Sequence, residues 1–400
     1  ALFDRLMTVF GSPNVMVTPT AQDSIELAVQ VMHGVQASVG FDLENADYIL
    51  SFGSGIIEGW GSPVRAFRAN SAWQDNGAKV VQVEPRLSNT AAKADQWVPI
   101  KAGTESALAM GMAHVIIKES LFNDEFIQNH STGFHGWKQH VLNDYTPEKT
   151  AEITGLDASF IKQLARDFSK ASHPLAICGR GQGDTPISLS EAMAVHALNA
   201  LVGNINQPGG VSAVSKPSYI DWPETDLDSI AEEGLQKPRI DGAGSDKFPM
   251  TQSLLNRFAD AVSSGRDYAM RALFVHGANP IYSMPGAEAF KTAVDKIPFV
   301  VSFSSYMDET AMNADLVLPN HVYLERYEDV PVIAGLTAPM LGLTRPVVYP
   351  MFNTQHVGNV VIRLAQELGG PIADAFPWDD FEACLEESLG DKWDVLNEDG

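Results

Sequence analysis

Apolar positions along this chain fall into two patterns. Short unbroken runs closed by glycine or proline predict buried strands. These are Tyr48-Ile49-Leu50, ended by Gly53 and Gly55; Val80-Val81-Gln82-Val83, ended by Glu84-Pro85-Arg86; and Trp97-Val98-Pro99-Ile100. Further runs are Pro174 to Cys178, ended by Gly179-Arg180-Gly181-Gln182-Gly183; Ala272 to Val275, ended by His276-Gly277-Ala278-Asn279-Pro280; and Phe299 to Ser302. Between them, apolar residues at helical spacing predict helices. They cover residues 1–11 with Gly11 as the stop, Ser24 to Val39, a segment from Val64 stopped by Asn76-Gly77, and Glu105 to Ser120 behind Thr104. Asp157 is expected to cap a helix carrying Phe160, Leu164 and Phe168, and Ser190–Val202, Thr251–Ser264 and Ala287–Ile297 complete the set. Residues 121–150 read as irregular. The stretch from Gln207 to Lys247, rich in Pro, Ser, Asp and Glu, reads as a linker or as an ordered loop crossing a cofactor.

Ala46 to Ser106 organises this pattern. Strand, glycine loop, helix and strand make a βαβ unit, whose strand-end loops are where such sheets bind ligands. Gly53, Ser54 and Gly55 let a backbone approach a diphosphate, the next helix N-terminus offers unpaired N–H groups, and Glu84 can accept ribose hydroxyls. The match to the dinucleotide fingerprint is incomplete. Gly59 comes one residue late, and Glu84 lies farther along than the roughly 20 residues expected. A tight turn without a ligand is the alternative reading of that stretch alone. Arg271 to Pro319 then repeats the plan: strand, glycine loop, helix, strand, Thr310, and Ala314-Asp315 leading to a short strand and proline. Thr90 and Ala94-Asp95 stand at the same places in the first copy. Two copies suggest paired α/β domains, with room for two nucleotides or one large ligand.

At 400 residues, 45% hydrophobic and 19% charged, the chain reads as globular with two or three domains. A net charge of −23 excludes nonspecific nucleic-acid binding and disfavours an anionic membrane face. An anionic cofactor would therefore need local cations such as Arg86, Lys93 and Lys101. Cys178 and Cys384 are the only cysteines, too few for a four-thiolate cluster. No apolar run reaches membrane-spanning length. His33, His196, His276 and His321 show no metal-ligand spacing and read as core or loop histidines. Arg180 reads equally as a loop residue or as one reaching a ligand, and Met307-Asp308-Glu309-Thr310 as a turn or a cofactor-side loop. Asp379 to Glu387 reads as a solvated helix face.

Several segments together resemble the central part of the large subunit of molybdopterin oxidoreductases, the dimethyl sulfoxide reductase family. They are Gly11-Ser12-Pro13-Asn14, the Gly53 loop, Val83-Glu84-Pro85-Arg86 with Thr90 and Ala94-Asp95, and Lys101-Ala102-Gly103-Thr104-Glu105. Gly203-Asn204 through Pro208-Gly209-Gly210, Gly277-Ala278-Asn279-Pro280 and Ala314-Asp315-Leu316-Val317-Leu318-Pro319 follow in order. The likeness is nearest the polysulfide and thiosulfate reductase branch and the related quinone-linked respiratory subunits. It implies an α/β fold of two Rossmann-like domains with parallel sheets, related by pseudo-twofold symmetry. One domain (18–215) would be inserted in the other (1–17 and 216–385), with 386–400 as a tail towards a further domain. By the resemblance, each domain holds one guanine dinucleotide of a bis-molybdopterin guanine dinucleotide carrying molybdenum or tungsten. Gly53, Ser54, Gly55, Glu84, Pro85, Arg86, Gly103, Thr104 and Glu105 would hold one. Gly277, Asn279, Pro280, Ser302 and Asp315 would hold the other.

The resemblance also implies iron–sulfur and membrane-anchor partner subunits and a small inorganic substrate. The place is the periplasmic side of the bacterial cytoplasmic membrane, and an iron–sulfur cluster is expected only in a part upstream of these residues. The chain departs from the family at the position that usually offers the metal a cysteine, selenocysteine, serine or aspartate. That position falls near Gln22, a poor ligand, with Asp23 and Ser24 as the nearest substitutes. Three readings follow: a molybdenum oxidoreductase, a metal-free family member serving as a structural or electron-relay subunit of a membrane quinone reductase, and an unrelated nucleotide-binding α/β enzyme. Valine at Gly53 or Gly277 is expected to abolish cofactor retention under the first two, if the pterins are kept.

Overall fold

The computed structural model describes residues 1–181, 185–265, 267–332 and 335–399. Gln182 and Gly183, the end of the glycine loop expected after Cys178, lie outside them. The chain divides into two compact units. An outer unit takes Ala1–Thr18, Ser218–Val330 and Leu341–Gly400, and an inserted unit takes Pro19–Pro217 and Pro331–Met340. The first helix, α1 (Leu2–Phe10), belongs to the outer unit and buries Leu6 and Val9.

The inserted unit runs α2 (Ala21–His33), β1 (Ser38–Phe41), β2 (Tyr48–Ser54), α3 (Pro63–Asn76), β3 (Lys79–Val83), α4 (Asn89–Lys93), β4 (Gln96–Val98) and α5 (Glu105–Lys118). Then come α6 (Asp124–His130), α7 (Phe134–Asp144), α8 (Pro147–Thr154), α9 (Ala158–Lys170), β5 (Pro174–Gly181), α10 (Leu189–Leu201) and β6 (Val211–Val214). Four strands form a parallel sheet in the order β4-β3-β2-β5. Every residue of β2 is buried, as a strand covered on both faces requires, which is why its sequence is a continuous run rather than an alternation. Helix α5 is buried along nearly its whole length and packs against α7, α8, α9 and α10.

Two expectations are corrected here. The helix read over Ser24–Val39 begins at Ala21 and stops at His33, because Gly34 takes the left-handed conformation (φ 71°) that ends helices. The residues beyond it form β1, antiparallel to β6. Residues 121–150 are not irregular but carry α6, α7 and the start of α8. Asn123 Oδ1 accepts from Phe126 N at 2.9 Å to cap α6, and Thr146 Oγ1 accepts from Lys149 N at 3.3 Å to cap α8 ahead of Pro147. Phe122, Phe134, Trp137 and Tyr145 there pack on the core rather than marking a loop.

The outer unit continues with α11 (Ser229–Leu235), α12 (Leu255–Ser264), β7 (Leu273–Val275), α13 (Pro280–Ser283), α14 (Ala287–Val294), β8 (Val300–Ser302) and β9 (Leu316–Val317). Then follow β10 (Glu328–Val332), β11 (Met340–Thr344), α15 (Val357–Leu368), α16 (Gly370–Asp374), α17 (Phe381–Leu389) and α18 (Lys392–Asp399). Strands β7-β8-β9 form a second parallel sheet, and β10-β11 a two-stranded one. One core joins Leu6, Val9, Phe303, Ile362, Phe376 and Trp378, and burying each large side chain there stabilises by about 2–3 kcal/mol. A second core stacks Phe258 on Phe290 at 5.1 Å.

The polar stretch before α12 is ordered. Ile220 N donates to Ser388 O at 2.8 Å, Trp222 Nε1 donates to Ser388 Oγ at 2.7 Å, and the Trp222 ring lies 5.0 Å from that of Trp378. From Ser218 on, the stretch belongs to the outer unit, and Ile220 and Trp222 lie across its helix α17. Helix α17 likewise buries Cys384, Leu385 and Leu389 on one face and turns its acidic residues outward.

Candidate functional site

In the inserted unit, the C-terminal ends of β2, β3 and β5 gather the polar residues expected from the sequence. Strand β2 ends at Gly53, held at φ 72°. A Cβ there would stand 2.7 Å from the Gly179 carbonyl oxygen, so the close approach of β5 as well as the turn requires glycine. Gly55 N donates to Gly181 O at 2.5 Å. The following turn is held by Thr90, whose Oγ1 accepts from Ile57 N at 3.2 Å and donates to Glu58 Oε2 at 3.0 Å. Burial works against the charge on Glu58. The hydrogen bonds from Thr90 and Asn89, with nearby Arg86, nonetheless hold its carboxyl below the usual range.

Beyond β3, Glu84 is buried and accepts hydrogen bonds from Ser88 Oγ and, at 3.3 Å, from Gln82 Nε2. Ser88 Oγ also accepts from Ala91 N at 3.0 Å and so caps α4. Pro85 and Arg86 are exposed. Asp95 closes the frame, its Oδ2 accepting from Val80 N at 2.8 Å. Gly103 is exposed at φ 80°, and Thr104 Oγ1 donates to Lys101 O at 2.6 Å rather than capping α5. Glu105 is buried and lies 3.2 Å from Arg180. Arg180 makes a two-pronged pair with Glu191, both contacts 2.7 Å. Three buried polar atoms here, Ser54 Oγ, Gln82 Oε1 and Glu105 Oε2, have no hydrogen-bond partner among the described residues.

In the outer unit the same frame recurs at the ends of β7 and β8. Gly277 turns at φ 63°, with open space where a Cβ would stand. Thr310 Oγ1 accepts from Ile281 N at 3.3 Å, as Thr90 does from Ile57. Its hydroxyl donates to Asn279 Oδ1 at 2.7 Å, so Asn279 takes the part played by Glu58. Asn279 Nδ2 in turn donates to Glu309 Oε2 at 2.7 Å. Asp308 Oδ1 caps the turn at Ala311 N (2.8 Å), and its Oδ2 accepts from Ser304 Oγ at 2.8 Å. Asp315 Oδ2 accepts from Val300 N at 2.7 Å; acceptor and donor are fifteen residues apart, as for Asp95 and Val80. Ser302 is buried and accepts from Ser304 N at 3.3 Å, while Pro280 opens α13.

The side chains of Asn279 and Asp315 are therefore part of the frame. Sequence reasoning did not single out Glu58, Gln82, Ser88 or Ser304, and it reached Asp308 only as part of a loop read as a turn or a cofactor-side loop. Laying the two copies over one another from Thr90 and Thr310 would have paired Glu84 with Ser304 and Ser88 with Asp308.

The segment expected to face a metal is engaged elsewhere. Asp23 Oδ2 accepts from Thr20 N at 2.6 Å and from Thr20 Oγ1 at 3.0 Å, capping α2. Ser24 Oγ donates to Ile187 O at 2.7 Å. Gln22 Nε2 donates to Glu26 Oε1 at 3.2 Å and to Ser38 Oγ. Among the described residues no group of three or more His, Cys, Asp or Glu could hold a metal ion. The structure does join two histidines that spacing kept apart: His33 Nε2 and His196 Nε2 lie 2.6 Å apart.

A family model described as molybdopterin oxidoreductase matches residues 1–365. The chain is 35% identical over 367 residues to the molybdopterin-binding-like subunit of menaquinone reductase from Nitratidesulfovibrio vulgaris, covering 90% of this chain and 48% of that protein. It is 28% identical to the molybdopterin-containing subunit of thiosulfate reductase from Salmonella typhimurium, covering 94% and 50%. Its fold matches that of acetylene hydratase from Pelobacter acetylenicus with a TM-score of 0.75 at 24% identity, over 97% of this chain and 55% of the other. The chain spans about half the length of the curated relatives it matches. By its match over most of its length, this chain belongs to the molybdopterin oxidoreductase family.

Proposed function

We propose that these residues are the nucleotide-holding core of the large subunit of a respiratory oxidoreductase, each unit receiving the guanine dinucleotide end of one molybdopterin at its strand-end loops. The observation that carries this reading is the recurrence, at the ends of both parallel sheets, of one frame: a left-handed glycine, a threonine tying the turn, and an aspartate latching the strand. The family uses a molybdopterin cofactor with molybdenum or tungsten. The inserted unit fits the organic part of such a group: exposed Arg86 supplies charge, and Ser54 Oγ and Gln82 Oε1, without a partner among the described residues, supply polar atoms at the strand ends. In the outer unit, open space beside Gly277 leaves its backbone free to approach a diphosphate. When bound, the cofactor carries the redox chemistry, and the chain's part is to bind and orient it.

The metal finds no such fit. Asp23 Oδ2, Ser24 Oγ and Gln22 Nε2 are each engaged in hydrogen bonds within the protein, and no group of three or more His, Cys, Asp or Glu among the described residues could hold a metal ion. That observation favours a second reading, a family member that keeps the fold without molybdenum, as a structural or electron-relay subunit of a membrane quinone reductase. Under either reading the partners are iron–sulfur and membrane-anchor subunits, and the place is the periplasmic side of the cytoplasmic membrane. A small inorganic substrate belongs to the first reading and exchange with a quinone pool to both. The names of the relatives, subunits of menaquinone and thiosulfate reductases, support this choice.

The test is pterin content, measured by fluorescence after oxidation, in full-length protein and in the Arg86→Ala variant. Pterin present in the wild type and reduced in the variant is expected. Wild-type protein free of pterin overturns the reading.

A further inference from the structure

Helices α2 and α10 of the inserted unit bring together two histidines that lie 163 residues apart in the chain. His33 is the last residue of α2, exposed and followed by the left-handed Gly34. His196 is half-buried on α10, which packs against α2. Their Nε2 atoms lie 2.6 Å apart, and the rings meet edge-on at 86°. Two ring nitrogens come this close only with one hydrogen between them. With none, two lone pairs face each other; with two, the hydrogens collide. One Nε2–H therefore donates and the other Nε2 accepts.

A hydrogen held between two imidazole nitrogens marks a position that a metal ion can take in its place. We propose that His33 and His196 form a two-histidine site for a divalent transition ion of the class that prefers imidazole, copper above nickel and zinc, with water completing the coordination. Neighbouring ligands about 2.0 Å from one ion stand about 2.8 Å apart around a tetragonal ion and about 3.3 Å apart around a tetrahedral one. The pair has to open only slightly for copper and more for zinc. His33 supplies that movement, since it ends its helix at the surface, while His196 is held in the body of α10. The hydrogen moves to Nδ1 of its own ring, so both ligands stay neutral imidazoles and no proton is released.

The surroundings suit such an ion. Burial lowers both histidines, His196 to about 3 with the help of His33, so at neutral pH neither carries the proton that excludes a metal. Among the described residues no lysine or arginine acts on either ring. The net charge of −23 draws cations towards the chain. The nearby acids of the two helices are engaged: Glu26 pairs with Lys216 at 3.4 Å and Glu191 with Arg180 at 2.7 Å. Cys178 lines the same small apolar cavity as His196, but burial and Glu191 push its thiol up to about 12, so it offers no thiolate. Among the described residues no third His, Cys, Asp or Glu completes a set, which leaves the site open to solvent rather than closed.

The experiment titrates chelator-treated full-length protein, carrying no added histidine tag, with Cu2+ at pH 7. Affinity is read by competition with a chelator, and the ligands by the nitrogen couplings in electron paramagnetic resonance. One Cu2+ per chain bound by two imidazole nitrogens is expected, and His33→Gln should weaken binding by about tenfold or more. Ni2+ and Zn2+ should compete for the same site more weakly, and Mg2+ not at all. His135→Gln removes another exposed histidine and should change nothing. The inference does not rest on a bound pterin: copper held at a pterin would lack the two imidazole couplings and would survive His33→Gln. Unchanged affinity in His33→Gln, or copper without two imidazole nitrogens, means an adventitious ion only and overturns the proposal. So does wild-type protein that takes up no Cu2+. Because His33 is exposed, the result does not depend on His196→Gln, which alters a half-buried position.

Discussion

The strand-end modules of the two units share one frame but fill it with different side chains. Each begins with a left-handed glycine, is tied by a threonine at Ile57 or Ile281, and is latched by an aspartate on an amide near the start of its second strand, Val80 or Val300. In the inserted unit a carboxylate, Glu58, backs the threonine; in the outer unit an amide, Asn279, does so. The acid–hydroxyl pair after the second strand is reversed: Glu84 with Ser88 in one, Ser304 with Asp308 in the other. Both modules thus carry one acid and one hydroxyl four residues apart, in opposite order. What differs is where the negative charge sits, directly at the strand end or one turn later, and this gives the two modules different surroundings for a ligand.

The largest expected difference is at the glycines. Gly53→Val puts a side chain into the Gly179 carbonyl and should unfold the inserted unit or cost several kcal/mol, as read by denaturant melting. Gly277→Val meets open space and should cost only the backbone strain, about 1–3 kcal/mol. Gly277→Val is therefore the informative probe of ligand retention, because loss of cofactor in the Gly53 variant would follow from misfolding alone.

Acid should loosen both units, through different histidines. Burial brings His196 in the inserted unit and His356 in the outer unit down to about 3; His33 adds to the effect on the first and Arg326 to that on the second. Below the unfolded value near 6.5 the unfolded chain takes up protons that the folded chain refuses, so stability falls from pH 6.5 towards 3. His356 also caps α15, its Nδ1 accepting from Gly358 N at 3.0 Å. His356→Asn keeps a capping acceptor without a titrating ring. It should flatten the acid loss in α15, measured by amide exchange, and leave the inserted unit's response intact.

A smaller effect tests the reversal itself. Ser88→Asp alone brings two carboxylates together and should destabilise by about 1–2 kcal/mol. Adding Glu84→Ser recreates the outer unit's arrangement and should bring stability back to within about 1 kcal/mol of wild type. A double variant no better than the single one would mean that the two modules are not interchangeable. The smallest effects are the matched latches: Asp95→Ala and Asp315→Ala should each cost about 1 kcal/mol, and by similar amounts.

The parallel strands were legible because buried strands leave short apolar runs closed by glycine, as in Tyr48–Gly53 and Ala272–Gly277. So was the mixed α/β fold with two parallel sheets, from the repeat of that pattern. Family membership was legible from motifs spread along the chain. The early end of α2 was obscured because helical spacing continues through Leu27, Val31 and Val35 past Gly34, a stop that spacing alone does not weigh. The helices of residues 121–150 were hidden because each is short and defined by its cap, Asn123 or Thr146, more than by an apolar stripe. At the site, glycines and acids could be read, but not the hydrogen bonds that spend Asp23, Ser24, Asn279 and Asp315 within the fold, since those depend on Thr20, Ile187, Thr310 and Val300 arriving alongside.

The most direct measurement is the number of oxidised pterins released per polypeptide from the full-length protein, with molybdenum and tungsten counted on the same sample. Two strand-end modules predict two pterins per chain. If a metal is present, its amount should be unchanged by Asp23→Ala or Ser24→Ala, because Asp23 Oδ2 holds the cap of α2 and Ser24 Oγ is bonded to Ile187 O. A chain that releases no pterin would contradict the assignment of both modules as nucleotide sites.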